Sequence, residues 1–375
     1  MGRILFVAST FSHIWNFHRP YLQAFSSQGW QVDVACGGAA MDIPEAHLTH
    51  SIPLEKSMGS PRNLAATRQL RSLIRENHYD IISCHTALAS FFVRLAVMGL
   101  RHRPLVACTC HGYLFDQDTP TLKRLILSWA ERLTAPVTDL LMTMNQWDTQ
   151  YATAHKLGRR VVHIPGMGLN PNKLPPVSPQ QAQQLREKLE LPQDAFVLLF
   201  AGEFSHRKSQ PVLLKALAQL PEQVYLLLPG QGSELEACQQ LSQSLGVAHR
   251  VRFPGQVSDM SVWYAVSDVV VSASRIEGLP FNLMEAMYYA RPIVASDVKG
   301  HHDLLAPHQA GLLYPYGDAE GCARHISHLI AQPDQARTLG LRAQQAVTAY
   351  LLPQVEGQIM EHYRDLLSQK GTFTL

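Results

Sequence analysis

Short, mostly apolar runs of residues alternate with longer amphipathic stretches along the first half of the chain. Buried strands in regular alternation with helices are typical of a parallel, doubly wound α/β sheet. The amphipathic stretches predict helices at residues 19–28 and 63–76. The apolar runs predict strands at residues 4–8, 32–36, 80–84, 105–108, 139–143 and 161–164.

The alternation stops at residues 166–179, GMGLNPNKLPPVSP, and then resumes. Four prolines and two glycines in this stretch exclude a regular element and predict a linker between two domains. We predict an N-terminal Rossmann-like domain at 1–170, a C-terminal one at 171–352, and a final segment at 353–375 that contains an amphipathic helix, 356–368. The second domain has predicted strands at residues 196–200, 224–228, 251–253, 269–271 and 293–295.

Composition is that of a soluble globular protein, with 46% hydrophobic and 17% charged residues. No apolar run is long enough to span a bilayer, and polar residues follow the N-terminal strand too soon for a signal peptide, so we expect a cytoplasmic protein. Residues 1–170 hold 16 Lys and Arg against 11 Asp and Glu, a net of +5, and the remainder holds 16 against 19, a net of −3. The basic first half fits an anionic substrate or the inner leaflet of a membrane, and equally a chance excess.

Two short patterns resemble metal sites, and neither is complete. Cys108-Thr109-Cys110-His111 lacks a second cluster that would supply four ligands, so reduced thiols in strands are the better interpretation. Asp116-Gln117-Asp118 has the D-x-D form, but it follows the histidine loop instead of lying between the strands of a nucleotide domain. We therefore expect no metal ion and no cofactor.

A buried strand, a carboxylate-bearing loop and the start of a helix follow one another in the second domain. The run 268–273 predicts the strand, and Gly278-Leu279-Pro280 predicts a turn into a helix, because proline is favoured at a first helical position. Glu277 then lies on the loop and Glu285 in the first turns of the helix, whose N–H groups near Phe281 would form an anion site. Two glutamates at this spacing also occur by chance, but the surrounding elements favour a nucleotide diphosphate site.

A basic loop precedes the glutamates in the same domain. Residues 202–208, GEFSHRK, follow a predicted strand, and Arg207 and Lys208 could hold a diphosphate through charge-assisted hydrogen bonds. Alone, a basic pair is more often a solvated feature of a helix start, but the glutamate loop makes it the expected partner. The turn Pro229-Gly230-Gln231-Gly232 lacks the third glycine of a dinucleotide fingerprint, so we expect it to line a nucleotide cleft and not to bind NAD.

Polar side chains follow several strands of the predicted N-terminal sheet. The predicted strand 105–108 closes with residues 109–113, so His111 lies at its carboxyl end. The carboxyl ends of parallel strands face the crevice where α/β proteins bind ligands. A core histidine satisfied by the backbone is the alternative. The loop 9–17 could contact substrate hydroxyls or phosphate, or could pack under the next helix. The candidate residues on this side are Ser12, His13, Asn16, His18, His85 and Asn145.

Residues 121–135 predict an amphipathic helix. Its apolar face could contact a membrane, but a helix that packs on its own sheet has the same pattern, and we expect that packing. The face comprises Leu122, Leu125, Ile126, Trp129 and Leu133, and the basic residues elsewhere on the helix are Lys123, Arg124 and Arg132.

The stretch RIEGLPFNLMEAM at 275–287 resembles the signature of the retaining, family 4 glycosyltransferases. That family has the GT-B fold, in which two Rossmann-like domains face each other and a C-terminal helix crosses back onto the first domain. The resemblance extends nearly end to end and is to enzymes of capsule and exopolysaccharide biosynthesis. The other similar stretches are 3–20, 80–94, 110–115, 139–145 and 163–170.

The resemblance implies roles for individual residues. Glu277 would lie by the donor sugar, Glu285 would bind the ribose hydroxyls, and His111 would contact the sugar near its 6-position. Lys208 matches a lysine of the family, and with His111 and Glu277 it completes the implied catalytic set. The implied donor-binding residues are Arg207, Lys208, Gly255, Gln256, Val257, Gly278, Leu279, Pro280, Phe281 and Glu285.

The implied reaction is metal-independent, retaining transfer from a nucleotide diphosphate sugar to a glycan acceptor. We expect a UDP-linked donor, with an N-acetylhexosamine among the candidate sugars. The expected acceptor is an oligosaccharide or a lipid-linked glycan on polyprenyl diphosphate, reached at the inner membrane face, and no nucleic acid is expected. Two other classes stay open, a GT-B sugar-nucleotide epimerase and a non-catalytic partner subunit that binds a nucleotide.

Overall fold

The computed structural model describes residues 2–55 and 57–368. The chain divides into two compact units. The N-terminal unit contains the chain up to Gly168 and again from Leu352 onward, and the C-terminal unit is Leu169–Leu351. The sequence placed these divisions after residues 170 and 352.

The N-terminal unit is built on a seven-stranded parallel sheet, whose central strands are buried on both faces. Its strands are β1 (Arg3–Ala8), β2 (Gln31–Gly37), β3 (Leu48–Ile52), β4 (Ile81–His85), β5 (Leu105–Cys110), β6 (Leu140–Thr143) and β7 (Arg160–His163). Their spatial order is β3-β2-β1-β4-β5-β6-β7, and Phe6 of β1 pairs with Val34 of β2 and Ser83 of β4.

Helices cover this sheet, and one of them comes from the far end of the chain. They are α1 (Phe11–Phe17), α2 (Arg19–Ser27), α3 (Arg62–Asn77), α4 (Ala87–Val97), α5 (Thr121–Thr134), α6 (Gln146–Ala154) and α15 (Leu352–Ser368). The α15 helix buries Tyr363, whose hydroxyl lies 2.5 Å from Ser83 Oγ and whose ring meets Phe25 edge-on. It is therefore an integral part of the N-terminal unit.

The C-terminal unit has the same architecture, built on a six-stranded parallel sheet. Its strands are β8 (Phe196–Leu199), β9 (Val224–Leu227), β10 (Val251–Arg252), β11 (Val269–Ser272), β12 (Ile293–Ser296) and β13 (Leu312–Tyr314), in the order β10-β9-β8-β11-β12-β13. Its helices are α7 (Pro179–Lys188), α8 (Gln210–Leu217), α9 (Leu235–Ser244), α10 (Ser261–Val266), α11 (Phe281–Tyr288), α12 (Lys299–Leu305), α13 (Ala319–Ala331) and α14 (Pro333–Ala346). Short 3-10 turns occur at Ala135–Val137, Pro171–Lys173, Ala248–Arg250 and Val347–Tyr350.

The predicted class, two doubly wound parallel α/β units, is confirmed. Two of the strands, β3 and β13, were not predicted, and most of the helices between strands, α1 among them, were given no bounds. The strands β3 and β13 are short, lie at sheet edges and carry partly exposed residues, so they lack the apolar run that marks a central strand. The expected loop 9–17 is mostly the helix α1, whose N-cap Thr10 accepts a hydrogen bond from His13 N–H.

The cysteines are free thiols, as expected, but they do not all lie in strands. All six cysteines are free, but only four lie in strands, because Cys238 is in α9 and Cys322 is in α13. Within residues 2–55 and 57–368, no helix combines the length and the apolar character that a membrane span requires.

Candidate active site

Three strand-end loops of the C-terminal unit are joined through their backbones. In the basic loop (202–208), Gly202 N–H donates to the first carbonyl of the turn 229–232 at 3.1 Å, and Gly230 N–H donates to a carbonyl of the loop 253–257 at 2.8 Å. Gly230 has φ +151°, and a Cβ there would lie 1.9 Å from the oxygen of Gly202, so only glycine fits. The turn therefore fixes the basic loop at the carboxyl edge of the sheet.

Glu277 is the centre of the charged site. It follows β11, it is only 7% exposed, and it accepts hydrogen bonds from Lys208 Nζ at 2.7 Å and from Arg207 at 3.1 Å. Burial alone would raise the pKa of this carboxyl, but the charges of Lys208 and Arg207 lower it to about 2. Two cations share one carboxylate, which leaves one positive charge uncompensated.

A buried histidine that the sequence did not single out as a site residue lies near enough to Glu277 to affect its pKa. His301, in α12, is fully buried, and its Nδ1 lies 2.7 Å from the carbonyl oxygen of Ser296. A Cβ on the preceding Gly300 would lie 2.6 Å from the carbonyl oxygen of Gly278. The start of α12 thus approaches the glutamate loop as closely as a glycine allows, and His301 is the next residue of that helix.

Glu285 has a different environment. The hydroxyl of Tyr264, in α10, lies 2.8 Å from a carboxylate oxygen of Glu285 and 3.0 Å from the carbonyl oxygen of Asn282. Burial raises the pKa of Glu285, and the hydrogen bond from Tyr264 opposes that shift only in part. No sequence pattern links Tyr264 to Glu285, so this partner was missed.

The helix that carries Glu285 begins one residue later than expected. Pro280 is its N-cap, with extended backbone at ψ 110°, and Phe281 is the first helical residue. The loop still delivers the helix start beside Glu277, as predicted. Among the implied donor-binding residues, Gly278, Leu279 and Pro280 are buried, Gly255, Val257 and Phe281 are half-buried, and Gln256 is exposed.

Four histidines of the N-terminal unit form a histidine cluster (His13, His18, His85 and His111) at the carboxyl ends of β1, β4 and β5. The Nε2 atoms of His13 and His111 are 3.4 Å apart, and the ring centroids of His18 and His85 are 3.7 Å apart with the rings tilted by 32°. Burial lowers the pKa of His13 to about 4 and lowers the pKa of the other three as well. All four imidazoles are therefore neutral near pH 7.

Three other residues predicted for this side lie outside the histidine cluster. Ser12 and Asn16 are exposed on α1. Asn145 is fully buried as the N-cap of α6, where its oxygen accepts from Asp148 N–H at 2.8 Å and its amide donates to the Asp148 carboxylate at 2.7 Å. Asn145 thus holds a helix start.

Metal ligation has one candidate group in the part of the chain that the structure describes. Ring nitrogens of His13, His18 and His111 lie within 4.8 Å of one another. The D-x-D carboxylate of Asp116 instead closes a turn by accepting a hydrogen bond from Thr119 Oγ1 at 2.8 Å. The expectation of a metal-free enzyme stays a prediction.

The apolar face of α5 was expected to pack on the sheet, but most of it is exposed to solvent. The helix contacts its own unit through the opposite face, where Ser128 is buried against Tyr151 and Glu131 pairs with Arg94 at 2.9 Å. Amphipathic spacing shows that a helix has an apolar side but not what covers it, so the expectation of sheet packing was wrong. The exposed fractions on the apolar face are 72% for Leu122, 60% for Leu125, 61% for Ile126 and 65% for Trp129, whereas Leu133 at the end of the face is half-buried.

Two parallel, doubly wound units with a charged loop at strand ends define the GT-B class of fold. HepE of Anabaena, solved in complex with UDP-glucose, shares that fold. The match has a TM-score of 0.79 and covers 97% of this chain and 99% of HepE at 22% identity.

Sequence relatives give the family. Two family descriptions match, Glycosyltransferase Family 4 at residues 21–173 and Glycosyl transferases group 1 at residues 181–346. The chain is 34% identical over 373 residues to EpsD of Bacillus subtilis (strain 168), a protein provisionally named a glycosyltransferase, and the match covers 98% of this chain and 96% of EpsD. It is also 34% identical over 185 residues, 49% of this chain and 53% of the relative, to the lipopolysaccharide core biosynthesis glycosyltransferase LpsE of Rhizobium meliloti (strain 1021). The chain belongs to the family 4 glycosyltransferases.

Proposed function

We propose that this protein is a retaining glycosyltransferase that moves a sugar from a UDP sugar to a lipid-linked glycan in surface polysaccharide biosynthesis. The observation that carries the proposal is the pair of cations, Lys208 and Arg207, gathered on the buried carboxylate of Glu277. The UDP-glucose bound to HepE supports the donor class. The role that LpsE has by name in lipopolysaccharide core biosynthesis supports the acceptor class.

The basic loop would bind the diphosphate of the donor. Lys208 and Arg207 together exceed the charge of Glu277 by one, and the other acidic residue of the loop, Glu203, is exposed to solvent, so the cation pair attracts an anion while Glu277 keeps both cations in place. Because Lys208 is mostly shielded from solvent, at 12% exposure of its side chain, its charge acts with less screening than a surface charge would. The start of α11 adds a helix N-terminus to the same edge.

Catalysis would follow from charge stabilisation of the leaving group. When the bond to the sugar breaks, negative charge builds on the diphosphate, and Lys208 and Arg207 stabilise it without a metal ion. Removal of one such donor should cost roughly 3 kcal/mol of barrier, about two orders of magnitude in rate. Glu277 would orient the sugar hydroxyls, and His111 would contact the sugar, as the family pattern implies. Front-face attack, with the phosphate accepting the acceptor's proton, would retain the anomeric configuration.

We further propose that transfer takes place at an anionic membrane surface, which α5 contacts through Leu122, Leu125, Ile126 and Trp129. Insertion of each such side chain into the acyl boundary is worth roughly 1.5–3 kcal/mol. The only acidic residue of α5, Glu131, already pairs with Arg94, so the charges of Lys123, Arg124 and Arg132 have no acidic partner on the helix. Each basic residue adds about 1 kcal/mol at an anionic surface, which favours a bilayer over a second copy of this basic face.

Nucleotide release tests the reaction. UDP-, GDP- and ADP-sugars would be offered with and without a polyprenyl diphosphate sugar, and the anomeric configuration of the product would be determined by NMR. We expect release from a UDP sugar that depends on the acceptor and yields a retained linkage. An inverted product would refute the mechanism, and nucleotide binding with no release from any pair would favour the partner-subunit alternative.

Vesicle binding tests the membrane contact. We expect the wild-type protein to sediment with vesicles of phosphatidylglycerol and phosphatidylcholine, and much less with phosphatidylcholine alone. Leu125→Glu should abolish sedimentation, whereas Leu341→Glu, a similarly exposed leucine on α14, should not. Equal binding by both variants, or a wild-type dimer that Leu125→Glu dissociates, would contradict the proposal.

A further inference from the structure

Three ring nitrogens converge in the histidine cluster. The Nε2 atoms of His13 and His111 lie 3.4 Å apart, and a ring nitrogen of His18 completes a group within 4.8 Å. Bonds of about 2.0–2.1 Å in a tetrahedral zinc site place neighbouring ligand nitrogens roughly 3.3–3.4 Å apart. His13 and His111 therefore already have the spacing of two zinc ligands, and His18, whose ring nitrogen lies within 4.8 Å of both, would move closer to become the third.

His18 gives a second, independent indication of a ligand. Its side chain is fully buried, and in the described part of the chain neither of its ring nitrogens has a hydrogen-bond partner. A buried imidazole with no partner is costly, because it loses its hydrogen bonds to water on folding and regains none. A metal ion at the histidine cluster would remove that cost for one ring nitrogen of His18.

We propose that His13, His18 and His111 bind one divalent ion of the zinc type. An all-imidazole set selects zinc, copper, nickel or cobalt over magnesium and calcium, which prefer oxygen ligands. Three protein ligands leave a fourth position open for water, as in catalytic zinc sites. His85 packs against the His18 ring, with the ring centroids 3.7 Å apart, and holds it in the cluster.

Occupancy of the site would inhibit the enzyme. The ion takes a ring nitrogen of His111, the residue that the proposed function assigns to the donor sugar, so free zinc should slow transfer. This consequence rests on the proposed function, whereas binding of the ion does not. The ion takes no part in the transfer itself.

Cobalt titration of the tag-free, full-length protein tests binding without any substrate. We expect one equivalent of Co²⁺ to give visible d–d absorption bands, which equimolar Zn²⁺ then removes. His18→Leu and His13→Gln should weaken cobalt binding by more than the roughly 10–100-fold that loss of an outer-shell partner costs. His163→Gln, an exposed histidine in β7, is the matched control and should bind cobalt as the wild type does. Circular dichroism would establish that each variant is folded.

The inhibition is measured separately, as the ratio of transfer rates with a chelator and with Zn²⁺. The ratio should be large for the wild type and for His163→Gln, and close to one for His18→Leu. Absence of cobalt bands, or bands that persist in both cluster variants, would overturn the site. Cobalt binding together with zinc-insensitive transfer would leave the site standing and refute the assignment of His111 to the donor sugar.

Discussion

Glu277 and Glu285 lie on one strand–loop–helix segment, yet their carboxyl groups respond to burial in opposite ways. Lys208 and Arg207 bring the pKa of Glu277 down to about 2, whereas Glu285 has only a tyrosine partner and its pKa is raised. The same residue type therefore provides a permanent anion at one position and a hydrogen-bonding group at the other. Charged neighbours, and not depth of burial, decide between these roles.

The largest expected effect is the loss of kcat when Glu277, the permanent anion, is replaced. Glu277→Gln keeps the shape of the side chain but replaces one of its two accepting oxygens by an NH2 donor, and it releases Lys208 and Arg207 from their shared anion. We expect kcat to fall by roughly two to three orders of magnitude, because both the sugar and the cations lose their positions. Steady-state kinetics with the UDP donor measure this, and a kcat within a factor of about three would contradict the role of the charge.

Glu277 and Glu285 should contribute to the pH dependence of the free energy of unfolding with opposite signs. The folded-state pKa of Glu277 is about 2 against an ordinary value of 4.5, so its contribution is present above pH 4.5 and is lost as pH falls toward 2. The shift corresponds to roughly 3 kcal/mol, which Glu277→Gln should remove from the pH dependence of the free energy of unfolding. Urea denaturation from pH 2 to neutral pH measures the difference, and the effect of Glu277→Gln should be confined to the part below pH 4.5.

Glu285→Gln is the matched control for that experiment. The raised pKa of Glu285 means that its contribution is present below pH 4.5 and is lost as pH rises through the raised value. Relative to the wild type, Glu285→Gln should therefore gain stability as pH rises. If both variants changed stability in the same direction with pH, the contrast between the two carboxyl groups would be refuted.

A smaller effect is expected on donor binding. If Glu285 binds the ribose hydroxyls, Glu285→Gln should raise KM for the UDP sugar by about tenfold, the equivalent of roughly 1.4 kcal/mol, and should change kcat little.

The smallest effect on KM is expected for Tyr264→Phe, which leaves Glu285 in place and removes a hydrogen bond worth about 1 kcal/mol. A larger loss of activity for Tyr264→Phe than for Glu285→Gln would reverse the assigned roles.

The amphipathic helices α5 and α15 show what sequence patterns can and cannot predict. Both have helical spacing of apolar residues, but α15 buries Ile359 and Tyr363 in the N-terminal unit whereas α5 leaves its apolar face exposed. Periodicity locates an apolar face, and only the tertiary structure shows what lies against it. The predicted central strands and the loop–helix order at Glu277 depend on local pattern and hold in the structure.

Partners that are distant in sequence could not be predicted in the same way. Tyr264 meets Glu285 through packing of α10 against α11, and His301 reaches the glutamate loop because Gly300 permits a close approach. The histidines of the cluster were each noticed at a strand end or on the loop after β1, but their convergence depends on the order of strands in the sheet. That order is a property of the whole N-terminal unit.

The rate of UDP release by Lys208→Ala tests the central claim most directly. Lys208 holds Glu277 at 2.7 Å and would stabilise the leaving diphosphate, so its loss should slow acceptor-dependent release by about two orders of magnitude. Lys215→Ala, on the exposed side of α8, removes the same charge nearby and should leave the rate unchanged. Equal rates for Lys208→Ala and the wild type, with both proteins folded, would show that the charged loop is not the site of transfer.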